Sequence, residues 1–190
     1  RALITHLDQK HGVDRRRIFV TGISNGGFMS LRVACEMSDL VRAVAAVTAQ
    51  MPAGSLEKCR PARPVAVLFI NGTEDPLVPY EGGVVKVFGR ERGQILSTEE
   101  SVEFWQQQNR CRSQTASRAL PDADPADGSR VEEIDFDQCE KGVRVRLLKV
   151  FGGGHTWPGG MQYLRAERVG RTNLDLDAAR VIWDFFRSWP

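Results

Sequence analysis

A five-residue turn, residues 22–26 with the sequence GISNG, constrains the fold of this chain more than any other feature. The residues before it, 17–21, have the β-branched and aromatic content of a buried strand, and apolar positions recur with helical spacing in residues 28–37. A G-x-S-x-G sequence between a strand and a helix predicts a tight turn that lifts the serine hydroxyl clear of a sheet. In so tight a turn, side chains at positions 22 and 26 are expected to clash, which would explain both glycines. Ser24 is therefore a candidate nucleophile.

Two later residues have the types and the chain order that such a nucleophile requires. In folds with this turn, an acid and then a histidine follow the serine, each on a loop after a later strand. Asp75 follows the strongest strand pattern of the chain, residues 65–70, and His155 follows a second strand pattern at 143–150 and three glycines. Because parallel strands place their carboxyl ends at one edge of a sheet, Ser24, Asp75 and His155 are predicted to meet there.

Simpler explanations exist for each of these residues taken alone. The glycine-rich turn is also typical of ordinary strand-to-helix connections, and Asp75 precedes a proline, as residues in plain turns often do. Glu74 is a rival acid one position earlier, and a lone histidine such as His155 commonly has a structural role in a loop. The joint occurrence of the three residues in the required order favours the catalytic interpretation.

Three stretches of the chain resemble one known family. They are residues 22–29 (GISNGGFM), 71–80 (NGTEDPLVPY) and 152–159 (GGGHTWPG), and the closing residues 182–186 (IWDFF) agree with them. These motifs are similar to those of the secreted polyhydroxybutyrate depolymerase and feruloyl esterase-like α/β-hydrolases, and the similarity covers nearly the whole chain. The resemblance implies a doubly wound, mostly parallel α/β sheet, carboxylic ester substrates, no cofactor and a secreted or periplasmic location.

The resemblance also implies a role for each candidate residue. Ser24 is the expected nucleophile, His155 the base and Asp75, rather than Glu74, the acid that orients the histidine. Ester cleavage would then proceed through an acyl-enzyme, with the backbone N–H of Asn25 donating to the oxyanion. The expected substrates are polyhydroxyalkanoate esters or feruloyl and acetyl esters of polysaccharides.

Two other functions remain as alternatives. A serine peptidase of the prolyl-oligopeptidase type also carries G-x-S-x-G-G, although no large accessory domain and no acidic clamp for a substrate amine are visible in the sequence. A binding fragment with impaired catalysis is the alternative from a different class.

The beginning of the chain suggests that the domain extends beyond it. Residues 2–10 have the pattern of a helix end, nothing before residue 17 has a strand pattern, and the first residue is not methionine. We therefore expect residues 1–190 to be the carboxyl-terminal part of a single domain that lacks about four strands, including the loop with the second oxyanion donor. The strand before Ser24 would then expose an apolar edge that another segment or a second chain completes.

Candidate substrate contacts lie near the predicted acid and base. Trp157, two residues after His155, and Tyr80 are expected to wall the ester pocket, with core packing as the alternative for both. Residues 113–137 are polar and rich in turn formers, so they are predicted to form a surface loop. Within them, residues 122–128 faintly resemble a calcium loop, but the acidic spacing is one residue off.

Four cysteines favour an oxidising compartment. Likeness to the family and spacing favour a disulfide between Cys111 and Cys139, which leaves Cys35 to pair with Cys59 or to remain a buried thiol. No C-x-x-C or H-x-x-x-H spacing occurs, so no metal site is predicted.

Composition gives little support to other partner classes. Twenty-six basic and 24 acidic residues leave a net charge of only +2, which does not favour binding to nucleic acid. No apolar run approaches the roughly 20 residues that a membrane-spanning helix needs.

Overall fold

The computed structural model describes residues 1–87, 89–112 and 116–189. Helices and strands alternate through most of this range, as expected for a sheet covered by helices on both faces. In chain order the elements are α1 (Ala2–His11), β1 (Phe19–Ile23), α2 (Asn25–Glu36), β2 (Ala43–Val47), β3 (Ala66–Gly72), β4 (Gly83–Val87), β5 (Arg90–Ile95), α3 (Thr98–Gln108), β6 (Ala116–Ala119), β7 (Arg130–Phe136), β8 (Val145–Phe151), α4 (Ala166–Val169) and α5 (Ala178–Arg187).

The main sheet contains six of the described strands in the order β1-β2-β3-β8-β7-β6. Strands β1, β2, β3 and β8 run parallel, whereas β7 and β6 continue the sheet antiparallel. The carboxyl ends of the four parallel strands therefore lie along one edge of the sheet, where α/β folds bind their ligands.

The two central strands are buried on both faces, which explains their almost wholly apolar sequences. Every residue of β2 and β3 is buried. Val44 and Phe69 belong to the core beneath α2 and α3, whereas Ala45 and Leu68 belong to the core beneath α5. Adjacent residues of a strand face opposite sides of a sheet, so each central strand contributes to both cores.

Two disulfides tie the helices to the loops beside them. Cys35, near the end of α2, bonds Cys59, and Cys111, after α3, bonds Cys139, after β7. The Cys111–Cys139 pair is the one that the sequence favoured, whereas for Cys35 the bond to Cys59 decides between two open alternatives; no described cysteine is free.

The prediction of a surface loop over residues 113–137 is wrong for half of the described part of that segment. Residues 116–119 and 130–136 form β6 and β7 of the main sheet, while residues 113–115 lie outside the described part of the chain. The strand pattern of β7 was hidden because buried positions carry acids: Arg146 on β8 forms ion pairs with Glu133 at 3.2 Å and Asp135 at 2.6 Å. Paired charges satisfy one another inside the fold, so apolar alternation is not required of such a strand.

Residues 122–128, which faintly resemble a calcium loop in sequence, include a short 3₁₀ turn in the structure. Asp124 accepts a hydrogen bond from the backbone N–H of Ala126, at the start of a short 3₁₀ turn. The described residues contain no group of three or more His, Cys, Asp or Glu side chains that is able to hold a metal ion.

The outer edge of β1 has no partner strand within the described residues. The strand pairs with β2 along its other side, from Phe19 opposite Ala43 to Ile23 opposite Val47. Of its five residues only Thr21 is exposed, and the others are half-buried. Among the described helices none combines the length and the apolar composition needed to cross a membrane.

Candidate active site

Ser24 occupies a strained turn between the end of β1 and the start of α2. Its backbone has φ 53° and ψ −118°, outside the regions that non-glycine residues usually adopt. The turn is held by its neighbour in the sheet, because the Ser24 N–H donates to the carbonyl of Val47 at 2.8 Å and to Oγ1 of Thr48 at 3.2 Å. Such a serine, raised on a sharp turn between a strand and a helix, has the geometry of a nucleophile elbow.

The glycines of the turn differ in what they contribute. A Cβ at Gly22 would lie 2.7 Å from the backbone C and Cα of Gly26, and a Cβ at Gly27 would lie 2.7 Å from Cβ of Ala49. A Cβ at Gly26 would meet nothing within 4 Å. The expected clash at position 26 is therefore wrong. Gly26 supplies the backbone against which Gly22 packs, and Gly27 is the second position that excludes a side chain.

Asp75 and His155 are 80 positions apart in the chain, and their side chains are in direct contact in the structure. Oδ2 of Asp75 lies 2.8 Å from Nδ1 of His155, and both residues are buried. The other carboxylate oxygen, Oδ1, accepts hydrogen bonds from the backbone N–H groups of Leu77 at 2.8 Å and Val78 at 2.9 Å. The turn after β3 thus fixes the carboxylate, while the neighbouring Glu74 is exposed.

The contact also determines which atom of the imidazole is available for chemistry. A carboxylate only accepts hydrogen bonds, so in the neutral imidazole the proton is on Nδ1 of His155 and Nε2 presents a lone pair. Ser24 lies at the same edge of the sheet, although Ser24 Oγ and Nε2 form no hydrogen bond with each other in the described structure. Hydrogen bonds between a nucleophile and its base commonly tighten only when substrate binds.

The histidine loop is held by contacts that the sequence analysis did not anticipate. The His155 N–H donates to the carbonyl of Val169, and the Tyr163 hydroxyl donates to the His155 carbonyl at 2.8 Å. Burial raises the pKa of Tyr163, and the charge of Asp75 raises it further. No motif in the sequence links Tyr163 or Thr48 to the site, because each acts through backbone contacts made by folding.

Asn25 begins α2, so its backbone N–H is one of the four that have no acceptor within the helix. The positive end of the α2 dipole lies at the same place, which favours negative charge beside Ser24. The position of Asn25 therefore suits the expected oxyanion donor.

A cavity of about 610 Å³ opens beside Ser24. Its lining includes Ser24, Asn25, Phe28 and Pro52, together with residues of the β4–β5 hairpin. That volume lies within the range typical of sites for small organic ligands.

The two predicted substrate contacts lie outside this lining. Tyr80 is only 2 % exposed, its hydroxyl donates to Oε1 of Glu99 at 2.7 Å, and Nζ of Lys149 lies 4.7 Å from its ring centroid. Burial and the bond to Glu99 raise the pKa of Tyr80. Trp157 is half-buried and packs on the core beneath α5. The packing contacts favour the structural alternative for both residues, and their contact with substrate stays a prediction.

Comparison with known proteins agrees with the fold and the turn. Residues 1–87 match the model of a family described as phospholipase and carboxylesterase. NocK of Nocardia uniformis subsp. tsuyamanensis, itself named as an esterase only by inference, is 35 % identical over 97 % of this chain and 55 % of its own length. Feruloyl esterase B of Piromyces equi is 29 % identical over 82 % of this chain and 28 % of its own.

A further relative is similar over a shorter stretch. Feruloyl esterase C of Emericella nidulans is 34 % identical over 44 % of this chain and 30 % of its own length. The match thus spans about half of NocK, and 28 % and 30 % of the two feruloyl esterases described above. The resemblance expected from the sequence motifs is confirmed: the chain has the α/β-hydrolase fold, and its sequence is similar to esterases, feruloyl esterases among them.

Proposed function

We propose that this chain carries the catalytic residues of a serine carboxylesterase. The observation that carries the proposal is the 2.8 Å contact between Nδ1 of His155 and Oδ2 of Asp75, at the edge of the parallel sheet where the strained turn also places Ser24. The similarity to carboxylesterases supports the same chemistry.

The proposed reaction assigns one task to each group. His155 accepts the Ser24 proton at Nε2 as Oγ attacks the ester carbonyl, and the Asp75 carboxylate stabilises the imidazolium that forms. The Asn25 N–H donates to the tetrahedral oxyanion. Collapse of this intermediate expels the alcohol, which takes the proton from His155, and water then cleaves the acyl-enzyme with His155 again as base.

The substrates we propose are polyhydroxyalkanoate esters or feruloyl and acetyl esters of polysaccharides. The similarity to proteins named feruloyl esterases supports the second group. Two disulfides support a secreted or periplasmic location, because disulfides persist in oxidising compartments.

The open edge of β1 supports a further part of the proposal. Residues 1–190 would form the carboxyl-terminal part of one α/β-hydrolase domain. A segment or a second chain would pair with β1 and supply the second oxyanion donor. A missing donor lowers turnover by about 10²–10³-fold, so a longer form of the protein is expected to be the faster esterase.

Covalent labelling tests the assignment without knowledge of the natural ester. The intact mass of the protein is measured before and after a fluorophosphonate probe, beside turnover of p-nitrophenyl butyrate. One adduct is expected on the native chain and none on Ser24→Ala, whose melting temperature should be unchanged. Labelling that persists in Ser24→Ala would contradict the assignment of the nucleophile.

A further inference from the structure

The cavity beside Ser24 combines apolar lining residues with one charged side chain, and this combination points to one class of substrate. The apolar part of its lining consists of Phe28, Pro52 and three hairpin residues, Val85, Val87 and Ile95. An apolar wall of this kind suits a hydrocarbon or aryl group and offers nothing to a strongly hydrated one.

The polar side chains of the lining belong to Ser24, Asn25, Arg92 and Gln94. Arg92, on β5, is the one charged residue among those that line the cavity. It is exposed, and in the described part of the chain it forms no ion pair with any carboxylate. A guanidinium group has five N–H donors and no acceptor, and its planar fork matches a carboxylate with two parallel hydrogen bonds.

Ser24 and Asn25 line the same cavity, so an acyl group attached to Ser24 Oγ would extend into it. We propose that this cavity binds the acyl part of esters that carry a carboxylate beyond an apolar spacer, and that Arg92 determines this specificity. The inference rests on the proposed function, since it names the class of ester that the same site prefers. The spacer packs on Val85, Val87 and Ile95, and the carboxylate pairs with Arg92.

Two isosteric esters test the proposal, p-nitrophenyl glutarate monoester and p-nitrophenyl 4-carbamoylbutyrate, which differ only in a terminal carboxylate or amide. The native protein should prefer the carboxylate by about tenfold in kcat/KM, as expected for a charge-assisted pair at a partly solvated site. Arg92→Gln should remove this preference, so that the two esters have similar values of kcat/KM in that variant. The preference should also weaken as salt is raised.

Arg90→Gln is the matched control, because Arg90 is an equally exposed arginine of the same strand that does not line the cavity. It should retain the preference. If the native protein shows none, or if Arg90→Gln removes it as fully as Arg92→Gln, the proposal is overturned, and general attraction by a basic hairpin is the better explanation.

Calorimetric titration with valerate and valeramide separates this proposal from the proposed function, because it needs no turnover. Stronger binding of valerate that is lost in Arg92→Gln supports the binding site even where no ester is cleaved. Equal binding of the two ligands overturns it, even where Ser24-dependent ester cleavage upholds the esterase assignment.

Discussion

Replacement of Asp75 by asparagine should switch the tautomer of His155. The groups around Asp75 determine which atom of the new amide faces the histidine. Oδ1 accepts from two backbone N–H groups, those of Leu77 and Val78, at 2.8 and 2.9 Å. In Asp75→Asn the side-chain oxygen must keep the position of Oδ1, because an amide NH₂ group in that position would face these two N–H donors. Each hydrogen bond so retained is worth about 1 kcal/mol, and a donor facing a buried donor costs more.

The amide NH₂ then replaces Oδ2, 2.8 Å from Nδ1 of His155. Since an NH₂ group only donates, Nδ1 must accept, and the imidazole proton moves to Nε2. A protonated Nε2 has no lone pair for the Ser24 proton. We expect kcat to fall by about 10⁴-fold, the loss seen when this tautomer is imposed on a serine triad. That factor corresponds to about 5.5 kcal/mol in the activation barrier.

The assay is turnover of p-nitrophenyl butyrate, together with the rate of fluorophosphonate labelling. Glu74→Gln is the control, because it makes the same change one residue away on an exposed side chain, and it should stay within about twofold of the native rate, as surface substitutions are usually nearly neutral. Nitrogen NMR of His155 gives a second readout, since the proton should be found on Nε2 in Asp75→Asn. Activity of Asp75→Asn within tenfold of the native protein, in a folded variant, would refute the role given to Asp75.

The remaining predictions concern the turn and the second disulfide. Gly22→Ala should abolish labelling and lower stability by about 1–3 kcal/mol, because its Cβ meets the backbone of residue 26, whereas Gly26→Ala should fold and be labelled. Equal behaviour of the two variants in thermal melts and labelling would contradict the packing argument. Replacement of Cys111 and Cys139 by alanine should cost about 3.5 kcal/mol, from the chain-entropy model for a loop of this size. Chemical denaturation measures that cost, and a loss below about 1 kcal/mol would mean that the link hardly constrains the unfolded chain.

The sequence was sufficient to predict β1, β3 and β8 of the parallel part of the sheet and to propose the residues that follow them. Strands β1, β2, β3 and β8 are apolar over most of their length because helices cover both faces, and such runs stand out in a sequence. Glycine-rich turns follow β1 and β8, so the positions of Ser24 and His155 were evident before the structure. The resemblance to the family favoured Asp75 over the adjacent Glu74, and the structure shows Asp75 in contact with His155.

The antiparallel strands could not be predicted in the same way. Burial of Glu133 and Asp135 on β7 depends on Arg146 of β8, and a pairing between separate strands leaves no periodic pattern in either one. The β4–β5 hairpin contains glycines and exposed charges, which are also typical of loops. The contacts of Thr48 and Tyr163 could not be predicted for a related reason. Each residue makes a single hydrogen bond across the fold to the backbone of Ser24 or His155.

The hairpin links the acid to the proposed binding site. Val78, whose N–H holds the Asp75 carboxylate, packs with Val85 and Ile95 of the hairpin in a small apolar cluster. The Lys86 N–H also donates to the Leu77 carbonyl at 3.1 Å. The turn that orients Asp75 and the wall that carries Arg92 therefore share packing contacts. Changes at exposed hairpin positions such as Arg92 should therefore alter which acyl groups bind, whereas changes inside the cluster should alter binding and the rate of acylation together.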